Sequence, residues 1–405
     1  MRKKILMFGW EFPPFNSGGL GTACFGLTKA LAKQKMEIML VLPKKLSDNL
    51  SADFLKFIFP EDSHIVKEYN FNSLLTPYMG EESYSSSVFG FGEDFGGIYK
   101  NNIFGEVFRY ADFGKFIAKK EEFDIIHAHD WLSFGAGINA KRISGKPFIA
   151  HVHATEFDRG GGVGINKTVY QIEKRGMEEA DRVIAVSNFT KNIIVTHYGI
   201  SADKVEVVHN GIEFVEEEGV ERNMHKLKEA GKKIVLFVGR LTLQKGPDYF
   251  IRSAKKVCER TDDVYFIISG SGDMEYSLIR EVARLGISDR VFFTGFLRGD
   301  ALRKVYKISD LFVMPSVSEP FGITPLESLV NGTPVLISNQ SGVSEVLSHA
   351  LKVDFWDIDE MANKIISAIK YDSLGNCLKG CGKEEVKNIT WDLAAKKCIN
   401  LYNSA

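Results

Sequence analysis

Short apolar runs alternate with stretches of helical periodicity along most of the chain. Residues 5–8 form a compact apolar run, residues 23–31 repeat apolar side chains at helical spacing, and residues 38–42 are apolar again. This order predicts a β-strand, a helix and a second strand. Such an opening implies a parallel sheet with helices on both faces.

The same alternation predicts two successive sheets. Further strands are expected at residues 124–128, 147–152, 182–186 and 205–208, then at 233–239, 264–269, 291–294, 311–314 and 334–337. Helical segments are expected around 357–371 and 391–402. The predicted fold class is α/β, with two Rossmann-like doubly wound domains facing each other across a cleft. In such folds, ligands bind at the carboxyl ends of the strands.

Composition agrees with a two-domain globular protein. At 405 residues the chain exceeds one ordinary core. Hydrophobic residues make up 44%, charged residues 25%, and the net charge is −1, which argues against nucleic acid or an anionic membrane as a partner. No apolar run approaches the roughly 20 residues of a membrane span, so no transmembrane segment is expected. The five scattered cysteines are typical of reduced thiols in a cytoplasmic protein.

Two stretches interrupt the alternation. Residues 44–100 predict an irregular insert, and its Gly- and Phe-rich part at 89–97 is typical of a binding or lid element. After Asn210 comes an acidic patch that predicts a linker, made of Glu213, Glu216, Glu217 and Glu218. The boundary between the domains is therefore expected at residue 213.

The stretch from Ser318 to Glu327 joins a strand-like run to a helix-like run. Thr324 is expected to be the N-cap of the helix and Pro325 its first residue. Glu327 then fits a capping box, in which its carboxylate reaches back to the N–H of the cap, whereas Glu319 has no comparable local role. Because a helix N-terminus attracts anions, we hypothesise that this stretch holds the sugar and ribose of a nucleotide-sugar. The alternative of a hydrolase with paired carboxylates stays open.

Two histidine pairs close two of the predicted strands: His127 and His129, followed by Asp130, and then His151 and His153. Polar side chains at the carboxyl ends of parallel strands lie at the ligand-binding edge of the sheet. There, His129 and Asp130 would orient sugar hydroxyls, and His153 would hydrogen-bond the transferred sugar. Paired histidines also suit a metal ion, and their alternation along a strand suits a structural role. The position of both pairs at strand ends favours a site for His153.

Small residues or cations follow the first strand of each half. Gly18, Gly19 and Gly21 would let a ligand approach the backbone, although their spacing differs from the dinucleotide fingerprint and a tight turn is the alternative. Arg240 and Lys245 follow the first strand of the second half. They suit a diphosphate, with arginine as a bidentate fork and lysine as a point charge. The alternative is a pair of solvated surface charges.

With these motifs in place, the chain resembles the retaining GT-B-fold glycosyltransferases of the family-4 and glycogen (starch) synthase-like superfamily. In the second half the resemblance rests on residues 239–246, 270–272, 319–327 and 331–335, in matching order and spacing. In the first half it rests on residues 17–20, 127–131 and 210–212.

The resemblance implies a role for each motif residue. Arg240 and Lys245 would be catalytic by neutralising the donor diphosphate. Glu319 would contact the sugar, and Glu327 would bind the ribose hydroxyls. The other implied site residues are Asp130 and His153 in the sugar pocket, Gly18 and Gly19 against the diphosphate, Asn210 in the donor site, and the backbone of Gly322, Ile323 and Thr324 near the sugar hydroxyls or phosphate.

The resemblance also implies an activity and a division of labour. Residues 1–213 would form an acceptor-side domain, residues 214–387 the donor-binding domain, and residues 388–405 a helix that crosses back to the first domain. The implied reaction is retaining transfer of a hexose, glucose in the first instance, from UDP-glucose or ADP-glucose to a growing α-1,4-glucan. Its partners would be a nucleotide-sugar donor and an α-glucan or other carbohydrate acceptor, with no metal or other cofactor.

Two residues depart from the glucan synthase pattern, so other acceptors remain as alternatives. Asn16 stands where glucan synthases that use ADP-glucose carry lysine, and Glu327 stands where they often carry tyrosine, whereas the broader family-4 enzymes carry glutamate. One alternative is a transferase of the same fold that acts on a lipid-linked, cell-wall or small-molecule acceptor. Another is a catalytically inactive sugar-nucleotide-binding protein, against which the presence of all four charged motif residues argues.

Overall fold

The computed structural model describes residues 3–13, 19–44, 52–60, 103–161, 164–214 and 231–405. The chain divides into two compact units. The first unit comprises residues 1–156, 165–211 and 391–405, and the second comprises residues 157–164 and 212–390. None of the described helices is both long enough and apolar enough to cross a membrane.

The first unit is built on a seven-stranded parallel sheet with the order β3-β2-β1-β4-β5-β6-β7. Its strands are β1 (Lys4–Phe8), β2 (Glu37–Val41), β3 (Lys56–Ile58), β4 (Ile125–His129), β5 (Phe148–Val152), β6 (Arg182–Ala185) and β7 (Val205–Val207). Its helices are α1 (Gly19–Lys33), α2 (Ile103–Lys120), α3 (Trp131–Ser144), α5 (Lys167–Glu179), α6 (Asn188–Tyr198) and α13 (Trp391–Ser404). The short α4 (Glu156–Arg159) begins with the last residue of a segment of the first unit, and its other three residues belong to the second unit.

The second unit is built on a six-stranded parallel sheet with the order β10-β9-β8-β11-β12-β13. Its strands are β8 (Lys233–Val238), β9 (Val264–Ser269), β10 (Val291–Gly295), β11 (Leu311–Met314), β12 (Val335–Ser338) and β13 (Leu351–Val353). Its helices are α7 (Pro247–Cys258), α8 (Glu275–Arg284), α9 (Gly299–Ile308), α10 (Thr324–Val330), α11 (Ile358–Lys370) and α12 (Asp372–Val386).

The central strands explain why both sheets are parallel and covered on two faces. Every residue of β4, β5, β11 and β12 is buried, which requires layers of helices above and below the sheet. In each unit the strand order reverses beside the first strand, between β1 and β4 and between β8 and β11. Ligands of doubly wound sheets bind at such reversal points, so the loops after these strands are the places to look for a site.

The predicted α/β class with two Rossmann-like sheets is confirmed. The predicted strands all have counterparts within a few residues, whereas β3, β13 and α12 were not predicted. β3 lies inside the stretch expected to be an irregular insert. Residues 45–51 and 61–100 of that insert lie outside the described residues, as do Glu216, Glu217 and Glu218 of the expected linker. Both missed strands are three residues long and lie at sheet edges, where the apolar pattern is too short to read.

The last helix, α13, belongs to the first unit. The indole of Trp391 occupies the space beside Gly26 on α1 where any side chain would collide with the ring. Lys33 at the end of α1 pairs with Asp392 at 2.5 Å. The hydroxyl of Tyr402, near the end of α13, reaches the ring of His127 on β4. The helix therefore completes one wall of the first unit.

Candidate functional site

The loop after β8 carries both predicted cations. The Nζ atom of Lys245 lies 2.6 Å from Oε2 of Glu319, and Nη2 of Arg240 donates to Oε1 of Gln244 at 3.3 Å. Gln244 is buried, and its backbone carbonyl accepts from the N–H of Val317 at 2.9 Å. These contacts tie the loop after β8 to the loop after β11, so that charges distant in sequence meet at one edge of the sheet.

Glu319 is buried at this junction, with 7% of its surface exposed. In addition to Lys245, the hydroxyl of Ser316 donates to its Oε2 at 3.2 Å. Its N–H donates to the carbonyl of Gln340 at 3.0 Å, and its carbonyl accepts from the N–H of Gly342 at 2.9 Å. The carboxylate is therefore fixed in position by both its backbone and its ion pair, partners that the sequence did not reveal.

The turn between Glu319 and α10 requires glycine at one position. Gly322 has a φ of +103°, and a Cβ atom there would lie 3.1 Å from Met314 Cε and 3.2 Å from Glu319 Cγ. Ile323, in the αR conformation, occupies the N-cap position, and no side chain caps the helix. Thr324 is already helical and directs its hydroxyl to the sulfur of Met314 at 3.8 Å. The predicted N-cap role of Thr324 is therefore wrong.

Glu327 is engaged by a tyrosine instead of by the helix cap. Its Oε2 accepts from the hydroxyl of Tyr306 on α9 at 3.1 Å. Among the described residues, no hydrogen bond joins its carboxylate to the N–H of Thr324, so the predicted capping box is not formed. Burial raises the pKa of the Glu327 carboxyl, and the hydrogen bond from Tyr306 opposes that rise.

A second carboxylate contacts the 318–327 stretch. The hydroxyl of Ser318 donates to Oδ1 of Asp158 at 2.6 Å, and both residues are buried. Asp158 lies on α4, in the part of that helix that belongs to the second unit. No sequence motif singles out Asp158, because 160 residues separate the two partners.

In the first unit, the four histidines of β4 and β5 form one column of rings. The centroids of His127 and His129 lie 4.5 Å apart, and those of His151 and His153 lie 4.1 Å apart. Nδ1 of His127 lies 2.6 Å from the Tyr402 hydroxyl, and its Nε2 lies 3.1 Å from Nδ1 of His151. Nδ1 of His129 lies 2.8 Å from Nε2 of His153.

Burial keeps this histidine column neutral. It lowers the pKa of His129 to about 3, and together with the neighbouring imidazoles it lowers the pKa of the other three well below the usual value. Ligand atoms of His127, His129 and His151 lie within 4.8 Å of one another, a grouping that would suit a metal ion. Nitrogen atoms of His127 and His151, and of His129 and His153, lie within hydrogen-bonding distance of each other. These contacts favour a structural role for the histidines over metal binding. That the site holds no metal stays a prediction.

Acidification is expected to destabilise the first unit through this column. Because the folded-state pKa of His129 lies below the unfolded value of about 6.5, the unfolded chain takes up the proton first as the pH falls. Each such histidine costs about 1.4 kcal/mol of unfolding free energy per pH unit between about 6.5 and the folded-state pKa. Urea unfolding at several pH values, followed by the fluorescence of the first unit's tryptophans, measures this slope.

Replacing His129 with glutamine should make the dependence of the unfolding free energy on pH shallower by about 1.4 kcal/mol per pH unit, the contribution of one proton. His197→Gln, at an exposed position on α6, controls for the loss of a histidine from the same unit. An equal slope in the wild type and the His129→Gln variant would contradict the assignment of His129 as a buried neutral group.

Asp130 links the histidine column to α3. Its Oδ1 accepts from the N–H of His153 at 2.6 Å and from the N–H of Ala154 at 3.3 Å, and its own N–H donates to the carbonyl of His151 at 2.9 Å. Asp130 has φ +58° and ψ 174°, a strained conformation for an L-residue. Such strain is concentrated at functional sites. Through its hydrogen bond with the N–H of His153, Asp130 fixes the backbone of that residue. The structure thus brings these two predicted site residues into contact.

The remaining predicted residues give a mixed result. Gly18 lies outside the described residues. Gly19 opens α1, and a Cβ atom there would meet nothing within 4 Å, so space alone does not require glycine. Asn210 is buried in the first unit. The N–H of Gly21 donates to the buried carboxylate of Glu11 at 2.5 Å, a partner that the glycine motif did not predict.

Comparisons with known proteins identify the family of this chain. The model of the family described as Glycosyltransferase Family 4 matches residues 17–215, and that of Glycosyl transferases group 1 matches residues 220–382. An uncharacterized glycosyltransferase of Methanocaldococcus jannaschii is 31% identical over 99% of this chain and 98% of its own length. The chain therefore belongs to the GT-B-fold glycosyltransferases of the family-4, glycogen synthase-like superfamily.

Relatives within the superfamily differ in acceptor. D-inositol 3-phosphate glycosyltransferase of Salinispora tropica is 29% identical over 70% of this chain and 64% of its own length. Glycogen synthase of Mycobacterium tuberculosis is 25% identical over 85% and 80%, respectively.

Solved structures share the fold at low sequence identity. Sucrose-phosphate synthase of Thermosynechococcus elongatus is 20% identical, with a TM-score of 0.76 over 100% of this chain and 99% of its own. HepE of Anabaena, solved in complex with UDP and glucose, is 17% identical, with a TM-score of 0.72 over 100% of both chains.

Proposed function

We propose that this glycosyltransferase transfers a hexose, glucose in the first instance, from a nucleotide-sugar with retention of the anomeric configuration. The observation that carries the proposal is the meeting of Lys245 with Glu319, beside Arg240, at the reversal point of the second sheet. In this proposal the cations serve a diphosphate and the neighbouring carboxylate serves a sugar; the ion pair of Lys245 with Glu319 supports it. HepE of Anabaena, which shares the fold, was solved with UDP and glucose, and this supports a nucleotide-sugar donor.

The roles proposed for the second unit follow from charge and position. Arg240 and Lys245 neutralise the diphosphate as it leaves, which stabilises the charge that develops in the transition state. Glu319 accepts hydrogen bonds from the sugar hydroxyls. Lys245 exchanges its ion pair with Glu319 for the diphosphate, and Ser316 remains as a donor to the carboxylate. Glu327 binds the ribose.

The roles proposed for the first unit concern the sugar. His153 hydrogen-bonds the transferred hexose, and Asp130 sets the position of the His153 backbone through the two N–H groups that it accepts. The acceptor hydroxyl attacks the anomeric carbon from the face that the diphosphate leaves. No metal or other cofactor enters this scheme, since the cations of the second unit supply the positive charge.

The proposed acceptor is the growing end of an α-1,4-glucan, and likeness to a glycogen synthase supports it. A small phosphorylated acceptor is the second candidate, favoured by the likeness to a D-inositol 3-phosphate glycosyltransferase. The two candidates differ in whether a polymer stimulates the release of nucleotide.

Nucleotide release from UDP-, ADP- and GDP-sugars tests the proposed donor and the proposed acceptor. It is measured without an acceptor, with glycogen and with inositol 3-phosphate. Glycogen is expected to stimulate release from a glucose donor and to become longer by radiolabel incorporation. Stimulation by inositol 3-phosphate and not by glycogen would replace the glucan with the second acceptor. No release from any donor, in a chain that still binds the nucleoside diphosphates, would reject the transferase activity.

A further inference from the structure

In the second unit, the buried side chain of Tyr306 contacts the carboxylate of Glu327. The ring of Tyr306 is 1% exposed, and its hydroxyl donates to Oε2 of Glu327 at 3.1 Å. Glu327 is itself only half-buried. Among the described residues, Tyr306 is the hydrogen-bond partner of this carboxylate. The pair thus fixes one carboxylate oxygen and leaves Oε1 for another donor.

The tyrosine is held rigidly from several sides. Its ring packs against Phe312 of β11 with centroids 5.8 Å apart and an interplanar angle of 68°. Its backbone carbonyl accepts from the hydroxyl of Thr333 at 2.5 Å, and Ser328 on α10 donates to the carbonyl of Thr333 at 2.9 Å. These contacts lock α9 to α10. The hydroxyl of Tyr306 is therefore placed by the fold, because the ring has no room to turn away.

From this geometry we infer that Tyr306 is a positioning residue, which holds the Glu327 carboxylate in one orientation for the hydroxyl groups of a nucleotide's ribose. The inference rests on the proposed function, in which Glu327 contacts the ribose. A carboxylate accepts hydrogen bonds through both oxygens and donates none while it is ionised. With Oε2 held by the phenol, Oε1 is oriented before the nucleotide arrives, and less conformational freedom is lost on binding.

The pair also controls the charge of the carboxyl group. Burial raises the pKa of Glu327, and the hydrogen bond from Tyr306 is the contact that lowers it. Burial also raises the pKa of Tyr306, so the phenol stays protonated and remains a donor. Loss of the phenol would shift the pKa of Glu327 further upward, and nucleotide affinity would then begin to fall at a higher pH as the solution is acidified.

The elements that pack on α10 are the strands β11 and β12 and the helix α12. β11 (LFVM) and β12 (VLIS) carry no ionisable side chain. The ionisable side chains of α12 are Asp372, Cys377, Lys379, Cys381, Lys383, Glu384 and Glu385. Lys379 lies against Gly332 beyond the C-terminal end of α10, and Glu385 accepts from the N–H groups of Ser348 and His349.

The test uses Tyr306→Phe in the full chain, with Tyr265→Phe as a matched control that removes a hydroxyl from β9 of the same unit. Binding of UDP, ADP and GDP is measured by calorimetry between pH 5.5 and 8, and the preferred nucleotide is compared with its 2′,3′-dideoxyribose form. Tyr306→Phe is expected to weaken binding of the ribose form about tenfold at low pH and less at high pH. Binding of the dideoxy form should not change.

Glu327→Gln separates failure of this inference from failure of the ribose role. If that variant still prefers the ribose form as strongly as the wild type, Glu327 does not bind ribose. The proposed ribose role of Glu327 and the inference about Tyr306 then both fall. If Glu327→Gln loses the preference while Tyr306→Phe keeps it at every pH, only the inference about Tyr306 falls. In the double variant, Tyr306→Phe is expected to add nothing to Glu327→Gln, and a further additive loss would mark a merely structural tyrosine.

Discussion

Replacing Lys245 with alanine is expected to lower turnover by about 10²- to 10³-fold, because the leaving diphosphate loses a preorganised cation. The substitution also leaves the buried carboxylate of Glu319 without its partner at 2.6 Å, which by itself destabilises a folded chain. Lys245→Gln is therefore the sharper variant, since the amide still donates to Glu319 but carries no charge. Steady-state turnover of the best nucleotide-sugar, with thermal unfolding measured in parallel, checks the prediction.

The matched control for this experiment is Lys255→Ala. Lys255 lies on α7 of the same unit and pairs with Glu259 one turn later at 3.5 Å, so the variant removes an equal charge from a surface ion pair. Wild-type turnover is expected for Lys255→Ala. A folded Lys245→Gln enzyme with normal turnover would reject the diphosphate role of this lysine.

Gly270→Ala is expected to destabilise the second unit by about 3 kcal/mol or more. Gly270 has a φ of +150°, and a Cβ atom there would overlap the backbone carbonyl of Gly239. That carbonyl cannot give way, since the N–H of Gly239 is bonded to the carbonyl of Ser269 at 3.0 Å and the N–H of Gly270 to that of Gly295 at 2.9 Å. The substitution would also displace the loop that carries Arg240. Chemical denaturation and nucleotide binding measure the two effects.

A second glycine provides the control for this substitution. Gly380 lies within α12, and a Cβ atom there would meet nothing within 4 Å. Gly380→Ala should stabilise the unit by about 0.5–1 kcal/mol, because alanine is the better helix former. Equal stability of the Gly270→Ala variant and the wild type would mean that the loop with Gly270 does not pack against the loop with Gly239 as described.

Strands that are buried on both faces were predictable from the sequence, because their apolar runs are continuous. Residues 311–314 and 334–337 gave such runs, and they became β11 and β12. Placing the loops after β8 and β11 at one edge of the sheet also followed, since it depends only on parallel strands and their reversal point.

Contacts between residues distant in the chain were not predictable in the same way. The pairs of Tyr306 with Glu327 and of Asp158 with Ser318 depend on the exact position and orientation in which helices pack on the sheet. No local sequence pattern specifies that packing. Local competition caused the error at Thr324. A capping box was a sufficient local explanation, but Tyr306 offered the carboxylate of Glu327 another partner, and the helix began one residue earlier.

The return of α13 to the first unit has a consequence for synthesis of the protein. The place beside Gly26 that the indole of Trp391 fills, and the hydroxyl that Tyr402 offers to His127, are supplied only after the ribosome has translated the entire second unit. At typical rates of elongation this delay lasts roughly 10–40 s. During that interval the nascent first unit exposes an apolar face of α1 on which a chaperone could act.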